Sequence, residues 1–516
     1  MTYTPRLTPR AHQIEAMRRL TLRPSGFDDV FAWFQEMGTG KTYTALNEWG
    51  ARAVQNDVPD LLVIAPAGCY HNWHRDKGTP GQLGYTPSEL KKHLDPELYV
   101  RLRTCAWISG AGMTARNEMS TFLGATDRPR AFFVNIEALS TVEKARQAVL
   151  DFLGAGRAMM VVDESTRIRA PDTKRTDWIV RAGRGEFGRA AAARRIMSGL
   201  PTPKAPTDLF SQMEFLDWRI LGHRSYFTFR QHYAVMRQIR TGQLKKLKSG
   251  KTVPATAWVD VAYRNEEELA ARIAPHSYRI LKSECLDLPP KLYMPPREVE
   301  MTDEQAKAYR ELVSQATTEL ECGAAVSPKR KITQILRLHQ VLQGFVKSDD
   351  GVIRHLKSNR IRALLEVLEE AAGKVVIWVS YDESVRAVTE ALEREYGPGS
   401  VARYWGGNLK TRHEDEVRYL GDPRCRFMVS TPAAGGIGNT WVVGQLAVYL
   451  SGTPDLEHRL QSEDRTHRDG QTGQATYQDF YVPGTVDERI MEINREKIDM
   501  ASALLGDGYR EWLQWR

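Results

Sequence analysis

Cysteine is scarce in this chain, and its positions argue against a cysteine-based metal or disulfide site. Its 516 residues include five cysteines and no Cys-x-x-Cys pair; they are Cys69, Cys105, Cys285, Cys322 and Cys425. We therefore expect reduced thiols. No apolar run approaches the roughly 18 residues of a membrane span, and the N-terminus lacks an apolar signal segment. These absences predict a soluble protein of the cytoplasm, without a membrane partner.

Neither sign of charge dominates. The chain has 72 Lys and Arg against 64 Asp and Glu, a net charge of +8, which suits a polyanionic partner without proving one. Apolar residues make up 42% of the sequence, enough to exclude a disordered chain. Because the length exceeds what one compact core supports, we expect two or three domains.

The most informative pattern is the glycine-rich turn Gln35-Glu-Met-Gly-Thr-Gly-Lys-Thr42. Such a turn lets backbone N–H groups and the start of a helix surround phosphates, while Lys41 reaches the β- and γ-phosphates. Thr42 can offer its hydroxyl to Mg²⁺. The turn alone could also be an ordinary surface loop.

A second pattern supports a phosphate-binding role for this turn. Residues Met159–Glu164 read as an apolar strand that ends in two carboxylates. Asp163 can hold Mg²⁺, and Glu164 can accept a proton from the attacking water. Together the two patterns predict an NTPase of the P-loop class. The alternative is an edge strand with an acidic end.

Short apolar runs alternate with helical patterns in two parts of the chain, which predicts two α/β lobes with parallel sheets. The first lobe covers residues 1–221. Residues 222–285 are interpreted as a helical and basic protrusion with a linker, and residues 286–516 as the second lobe, with a helical insertion at about 302–345. The predicted strands are Leu61–Ala65, Ala131–Asn135, Ala158–Val162, Arg195–Ser198, Lys374–Ser380, Arg426–Ser430 and Leu446–Leu450.

The second lobe carries two further patterns. Arg465 and Arg468 are three residues apart, so on a helix they share a face and can approach a γ-phosphate. A solvated helix with an Asp464–Arg468 ion pair is the alternative. Residues 430–440 hold three glycines after an apolar strand, which permits close approach to a ligand; a flexible loop is the alternative.

Read in order, these segments resemble the Swi/Snf-type ATPases of helicase superfamily 2, in the compact form carried by phages and bacteria. The resemblance covers about residues 7–500. It rests on Leu7–Gln13, Glu36–Thr42, Leu62–Pro66 with Asn72 and Trp73, Asp163–Arg169, Ser198–Pro201, Leu288–Lys291, Val375–Trp378, Tyr404–Gly407, Ser430–Asn439 and Gln461–Gln471.

The resemblance implies two RecA-like P-loop lobes, with helical insertions near the hinge, that close on ATP and Mg²⁺. It implies a catalytic set of Lys41, Asp163, Glu164, Gln461, Arg465 and Arg468. The nucleotide-binding set is Gln13, Gly38, Thr39, Gly40, Lys41, Thr42 and Gly438, and the metal ligands are Thr42 and Asp163. The resemblance also implies a monomer that moves along double-stranded DNA, with Asn72, Trp73, Ser140 and Thr431 as DNA-contacting residues.

Basic residues between Arg237 and Lys251 fall where this family inserts a protrusion. We expect Lys245, Lys246 and Lys248 to contact the DNA backbone; a solvated charged hairpin is the alternative. Trp405 could stack on a base or fill a core, and we favour the core. The chain departs from the family at Thr166, where His is usual, and at Leu200, where Thr is common.

Three functions fit these patterns. The first is a DNA-stimulated ATPase that translocates on duplex DNA. The second is a helicase that separates DNA or RNA strands. The third is a nucleotide-gated nucleic-acid clamp with little turnover, which the departures at Thr166 and Leu200 would favour.

Overall fold

The computed structural model describes residues 2–246, 252–321, 328–348, 350–436, 440–471 and 473–505. The strands are β1 (Val30–Gln35), β2 (Asp60–Ala65), β3 (Arg103–Ala106), β4 (Arg130–Asn135), β5 (Ala158–Asp163), β6 (Ala193–Met197), β7 (Ala234–Lys246), β8 (Thr252–Tyr263), β9 (Ser277–Ile280), β10 (Leu292–Tyr293), β11 (Arg297–Glu298), β12 (Phe345–Lys347), β13 (Ile353–His355), β14 (Lys374–Trp378), β15 (Val401–Tyr404), β16 (Phe427–Ser430), β17 (Gly444–Tyr449) and β18 (Thr476–Tyr481).

The α-helices are α1 (Ala11–Thr21), α2 (Lys41–Val54), α3 (Tyr70–His74), α4 (Glu89–His93), α5 (Pro96–Arg101), α6 (Met113–Gly124), α7 (Ala138–Thr141), α8 (Glu143–Ala155), α9 (Lys174–Gly183), α10 (Leu209–Asp217), α11 (Tyr226–Tyr233), α12 (Glu266–Ile273), α13 (Lys282–Cys285), α14 (Asp303–Glu321), α15 (Pro328–Leu342), α16 (Arg360–Glu370), α17 (Asp382–Tyr396), α18 (Arg412–Gly421), α19 (Pro432–Gly435), α20 (Leu456–Glu463) and α21 (Val486–Leu505). Among the described helices, none combines the length and the apolar character needed to cross a bilayer.

The first sheet is parallel throughout, with the strand order β3-β4-β2-β5-β6-β1-β9. Strands β1, β2 and β5 are buried along their whole length, which explains their nearly continuous apolar sequences. Successive residues of β1 enter different cores: Phe34 packs on one face of the sheet and Trp33 on the other. The predicted strands of the first lobe are confirmed, although β6 begins at Ala193 and ends before Ser198.

The second sheet is also parallel, with the order β10-β18-β17-β14-β16-β15, and β11 pairs with β18. The three strands predicted for the second lobe correspond to β14, β16 and β17. Trp405 is 6% exposed and packs in the core beside β14, so the predicted core role of this side chain is confirmed. The two parallel sheets with flanking helices confirm the predicted α/β fold class.

The chain divides into two compact units. Of the described residues, unit 1 comprises 2–233, 265–288 and 499–505, and unit 2 comprises 234–246, 252–264 and those between 289 and 498. The segment interpreted as protrusion and linker contains α11, the antiparallel hairpin β7–β8, α12 and β9. Its last strand joins the first sheet beside β1. Within the insertion predicted at about 302–345, the described residues form α14 and α15.

Candidate nucleotide-binding site

The glycine-rich turn connects the end of β1 to the start of α2. Gly38 and Gly40 have φ angles of +81° and +95°, a conformation that costs glycine little and other residues more. Gly40 precedes the first residue of the helix. The Thr39 hydroxyl donates to the Glu36 carbonyl at 2.7 Å, which tightens the turn. The turn therefore has the backbone shape and helix start needed to surround a phosphate.

The N-terminal segment is attached to this turn by two neighbouring side chains. His12 Nε2 donates to the Thr39 carbonyl at 2.7 Å, and Gln13 Nε2 lies 3.5 Å from the same oxygen. Gln13 Oε1 accepts from the Arg10 amide at 2.9 Å, so the Gln13 amide has a defined orientation. A Cβ atom on Gly40 would come within 2.5 Å of Gln13 Nε2. The residue predicted to contact the base thus touches the turn predicted to hold the phosphates.

At the acidic end of β5, Asp163 is buried and the half-buried Glu164 has a strained backbone. Glu164 has φ 48° and ψ 60°, a left-handed conformation that is uncommon outside glycine and concentrates at functional sites. Asp163 Oδ1 accepts from the Glu164 amide at 3.0 Å, and Asp163 Oδ2 accepts from the Trp73 indole at 3.1 Å. Both oxygens of the Asp163 carboxyl group therefore have a hydrogen-bond partner.

Burial raises the pKa of Asp163 above its usual range, although the Lys41 ammonium and the Trp73 hydrogen bond act in the opposite direction. A desolvated carboxylate of this kind fits Mg²⁺, because a divalent cation compensates a buried negative charge. Thr42 lies in the first turn of α2, next to Lys41. Lys41, Thr42 and Asp163 could therefore hold a metal-bound triphosphate.

Strand order explains why these loops meet. In the sheet, β6 lies between β5 and β1, and β2 lies on the other side of β5. Since all are parallel, the loops that follow them leave from one edge, the usual place for ligand sites in such sheets. The turn after β1, the carboxylates after β5 and Trp73 after β2 all belong to this edge.

The residues predicted to contact DNA in unit 1 lie in different surroundings. Trp73 on α3 is only 2% exposed, and its indole N–H is used by Asp163. Asn72 on the same helix and Ser140 on α7 are half-buried. The Ser140 carbonyl accepts from Arg146 at 3.1 Å. The geometry thus links Trp73 to the Asp163 carboxylate rather than to an exposed surface.

In unit 2 the arginine pair converges on one carboxylate. Arg465 Nη2 lies 2.9 Å and Arg468 Nε 3.0 Å from Asp464 Oδ2. Helix α20 ends at Glu463, so both arginines follow the helix in a turn, and the prediction that they share a helical face is wrong. The alternative ion pair Asp464–Arg468 is present, but Asp464 is buried rather than solvated.

Burial differs between the predicted catalytic residues of unit 2. Arg465 is 4% exposed and donates to the Gln461 carbonyl, whereas Arg468 is more exposed and donates to the Thr440 hydroxyl. Gln461 is buried, and its Oε1 has no hydrogen-bond partner among the described residues. This orphaned acceptor fits a site completed by a polar ligand.

For several of the predicted residues, the structure describes only the backbone or nothing at all. Gly438 and Lys248 lie outside the described residues. Lys245 and Lys246 belong to β7, and at these two positions only the backbone is described. Thr431 directly follows β16, and its carbonyl accepts from the Gly435 amide at 2.9 Å. The DNA-contacting and Gly438 assignments therefore stay predictions.

Comparison with known proteins identifies the family. The sequence model of the SNF2-related domain matches residues 32–350, more than half of the chain.

The chain belongs to the SNF2-related domain family.

This SNF2-related chain is 23% identical over 508 residues to Protein CHROMATIN REMODELING 4 of Arabidopsis thaliana, an alignment that covers 95% of the chain and 21% of that protein. It is 21% identical over 502 residues to an uncharacterized ATP-dependent helicase of Mycoplasma pneumoniae, covering 96% and 42%. The chain thus spans less than half the length of these curated relatives. Family membership indicates ATP use and an ATP hydrolase in general terms.

Among solved structures, the chain is similar to the Sulfolobus solfataricus SWI2/SNF2 ATPase core in complex with double-stranded DNA. The identity is 21%, the coverage is 98% of this chain and 95% of that one, and the TM-score is 0.41.

Sequence reasoning missed two side chains at this site, His12 and Gln212, and one contact of Trp73, a residue predicted to contact DNA. His12 precedes Gln13 and binds the same carbonyl, yet nothing in its spacing pointed to the turn. The contact of Trp73 with Asp163 depends on the neighbouring positions of β2 and β5. Gln212 is a fully buried amide on α10. Its one signal in the sequence is a polar side chain in the segment Leu209–Leu216, and Ser211 and Glu214 in the same segment are polar too, so the pattern did not single it out.

Proposed function

We propose that this SNF2-related chain is an ATP-dependent translocase on double-stranded DNA whose ATP hydrolysis is stimulated by that DNA. The observation that carries the proposal is the buried Asp163 at the end of β5, followed by the strained backbone of Glu164, with the Lys41 ammonium acting on Asp163. Relatives named for chromatin remodelling support a DNA-bound task, such as moving or displacing proteins on DNA. The net charge of +8 suits a polyanion.

In the proposed reaction, the turn Gly38–Gly40 surrounds the phosphates and Lys41 neutralises the β- and γ-phosphate charge. Thr42 and Asp163 would hold Mg²⁺, which offsets phosphate charge when bound. Glu164 takes the proton of the attacking water.

Further residues would complete the nucleotide site. Gln13 contacts the base, Gly438 approaches the phosphates, and Gln461 orients the triphosphate. Arg465 and Arg468 add positive charge to the γ-phosphate as it is transferred.

The DNA contacts in this proposal are sequence-independent. Asn72, Ser140, Thr431 and the basic residues of the β7–β8 hairpin would bind backbone phosphates, which position the duplex without reading bases. Replacing Lys245, Lys246 and Lys248 by alanine should flatten the dependence of duplex affinity on salt concentration by about 0.9 per lost phosphate contact. Fluorescence anisotropy at several salt concentrations measures this slope, and an unchanged slope would remove the hairpin from the DNA-binding surface.

A strand-separating helicase is the second candidate, because two relatives are named uncharacterized ATP-dependent helicases. The test compares steady-state ATP hydrolysis with duplex DNA, single-stranded DNA and RNA, followed by unwinding of a forked duplex. Stimulation by duplex DNA without unwinding supports the translocase; unwinding supports the helicase. Equal slow turnover with every nucleic acid would contradict both and favour a clamp. Lys41→Ala is the control for contaminating ATPases.

A further inference from the structure

One buried amide connects two loops of the candidate site in unit 1. Gln212, on α10, is 0% exposed. Its Oε1 accepts from the Ser165 hydroxyl at 2.7 Å. Its Nε2 donates to the Pro201 carbonyl at 2.7 Å and to the Asp208 carbonyl at 2.9 Å. The side chain therefore joins the segment after β5 to the loop after β6.

The hydrogen-bond chemistry defines the orientation of this amide. Backbone carbonyls accept hydrogen bonds and cannot donate them, so the NH₂ group must face Pro201 and Asp208. Oε1 then faces Ser165, whose hydroxyl is the donor. Both N–H groups and the carbonyl of Gln212 are used. An apolar side chain of similar size would leave the buried Pro201 carbonyl and Ser165 hydroxyl without these partners.

The first of the two segments joined by Gln212 follows β5 and includes Glu164, the proposed base. Ser165 follows Glu164 directly and begins a short 3-10 helix, Ser165–Ile168. The left-handed conformation of Glu164 costs about 1–2 kcal/mol for a residue with a side chain, so the surrounding structure has to maintain it. The hydrogen bond from Ser165 to Gln212 anchors the residue on one side of that strained position. Asp163 anchors the other side, by accepting from the Glu164 amide.

The second loop reaches the phosphate turn. The Ser198 amide donates to the carbonyl of Trp33 in β1 at 3.2 Å. A Cβ atom on Gly199 would lie 3.1 Å from the Met37 amide nitrogen, so the loop packs closely against the turn. Arg279 also donates to the Gly199 carbonyl at 2.9 Å. Leu200 offers no polar side-chain atom, and the loop meets Gln212 through the Pro201 carbonyl.

We propose that Gln212 is a positioning residue for Glu164. It couples the backbone conformation of Glu164 to the loop Ser198–Pro201, which itself packs against the phosphate turn. The inference rests on the proposed role of Glu164 as the base. Loss of Gln212 should therefore slow the chemical step while ATP still binds, because the turn Gly38–Lys41 does not contact Gln212 through any hydrogen bond found among the described residues.

The experiment measures kcat and KM for ATP with saturating duplex DNA in Gln212→Leu, Ser165→Ala and the double variant. We expect kcat to fall between about 10- and 100-fold in each single variant, since small misplacements of a catalytic group have effects of this size. KM should change less than about threefold. The double variant should be no slower than the slower single variant, because both substitutions break the same connection.

Two controls separate positioning from general destabilisation. Ser211→Ala, next to Gln212, removes a buried hydroxyl that has no hydrogen-bond partner among the described residues, and should leave kcat unchanged. Gln305→Leu removes a comparable buried amide of unit 2, which donates to the Val341 carbonyl at 2.8 Å. It should lower the unfolding temperature without the selective loss of kcat.

The outcomes are distinguishable from failure of the proposed function. If the parent protein does not hydrolyse ATP, or Glu164→Gln hydrolyses it normally, the proposed function fails. If the parent is active and Gln212→Leu and Ser165→Ala retain the parent kcat, or if their losses multiply in the double variant, the positioning role is refuted. Should Gln212→Leu fail to fold, the milder Ser165→Ala variant decides the question alone.

Discussion

A single added methyl group at Gly40 tests the geometry of the nucleotide turn. Gly40 has a φ of +95°, and a Cβ atom there would lie 2.5 Å from Gln13 Nε2. Gly40→Ala therefore has two effects: it places a side chain in a left-handed conformation, and it displaces Gln13. Gly26→Ala is a matched control, since Gly26 has a φ of +86° and its added Cβ would meet no described atom within 4 Å.

The magnitudes follow from these two effects. Alanine in the left-handed conformation costs about 1–2 kcal/mol, so this effect lowers the stability of Gly40→Ala and Gly26→Ala by a similar amount. Displacing Gln13 in addition breaks its hydrogen bond with the Arg10 amide, which contributes about 0.5–1.5 kcal/mol. If Gln13 makes a hydrogen bond of similar energy to the base, its loss should weaken ATP binding by about 2- to 13-fold in Gly40→Ala. Gly26→Ala should bind ATP like the parent.

The assay combines thermal unfolding with titration of a fluorescent ATP analogue. Both variants should unfold at lower temperature than the parent, and Gly40→Ala should be the less stable of the two. Only Gly40→Ala should lose nucleotide affinity. Parent-like affinity in Gly40→Ala would refute the placement of Gln13 beside the bound nucleotide. Equal affinity loss in both variants would show that backbone strain, rather than Gln13, is responsible.

Three further predictions test the remaining parts of the molecule. Glu164→Gln should reduce kcat by about 10²- to 10⁴-fold while ATP binding, measured by titration, persists; near-parent turnover would exclude Glu164 as the base. Arg468→Ala should lower single-turnover hydrolysis by about 10³-fold and ATP affinity far less, and an equal loss of both would contradict a role specific to the transition state. In unit 2, Asp487→Asn should lower the free energy of unfolding by about 3–5 kcal/mol, measured by chemical denaturation, because it leaves the buried guanidinium of Arg360 without its charged partner. Burial acts to raise the pKa of Asp487, but Arg360, His339 and the Val482 amide together outweigh it and keep that pKa below the usual range. The pair's stabilisation should therefore be complete near neutral pH and disappear as the pH falls below about 4, whereas the exposed-pair control Glu390→Gln should change little.

Local pattern was sufficient to predict much of this fold. The apolar strands of both sheets, the glycine turn before α2 and the acidic end of β5 are short segments whose composition reflects their own burial and backbone conformation. The core position of Trp405 was likewise predicted correctly. These features depend on residues that are close in sequence, so the sequence alone carries the necessary information.

The tertiary structure decided which of these segments meet. The order β2-β5-β6-β1 brings Trp73 to Asp163, and the close approach of the loop after β6 to α10 brings Gln212 to Ser165 and Pro201. The end of α20 at Glu463 placed Arg465 and Arg468 in a turn around Asp464, which their spacing did not indicate. Spacing along the chain reports local periodicity. Partners that are distant in sequence depend instead on strand order and on where each helix ends, and packing of the whole unit determines both.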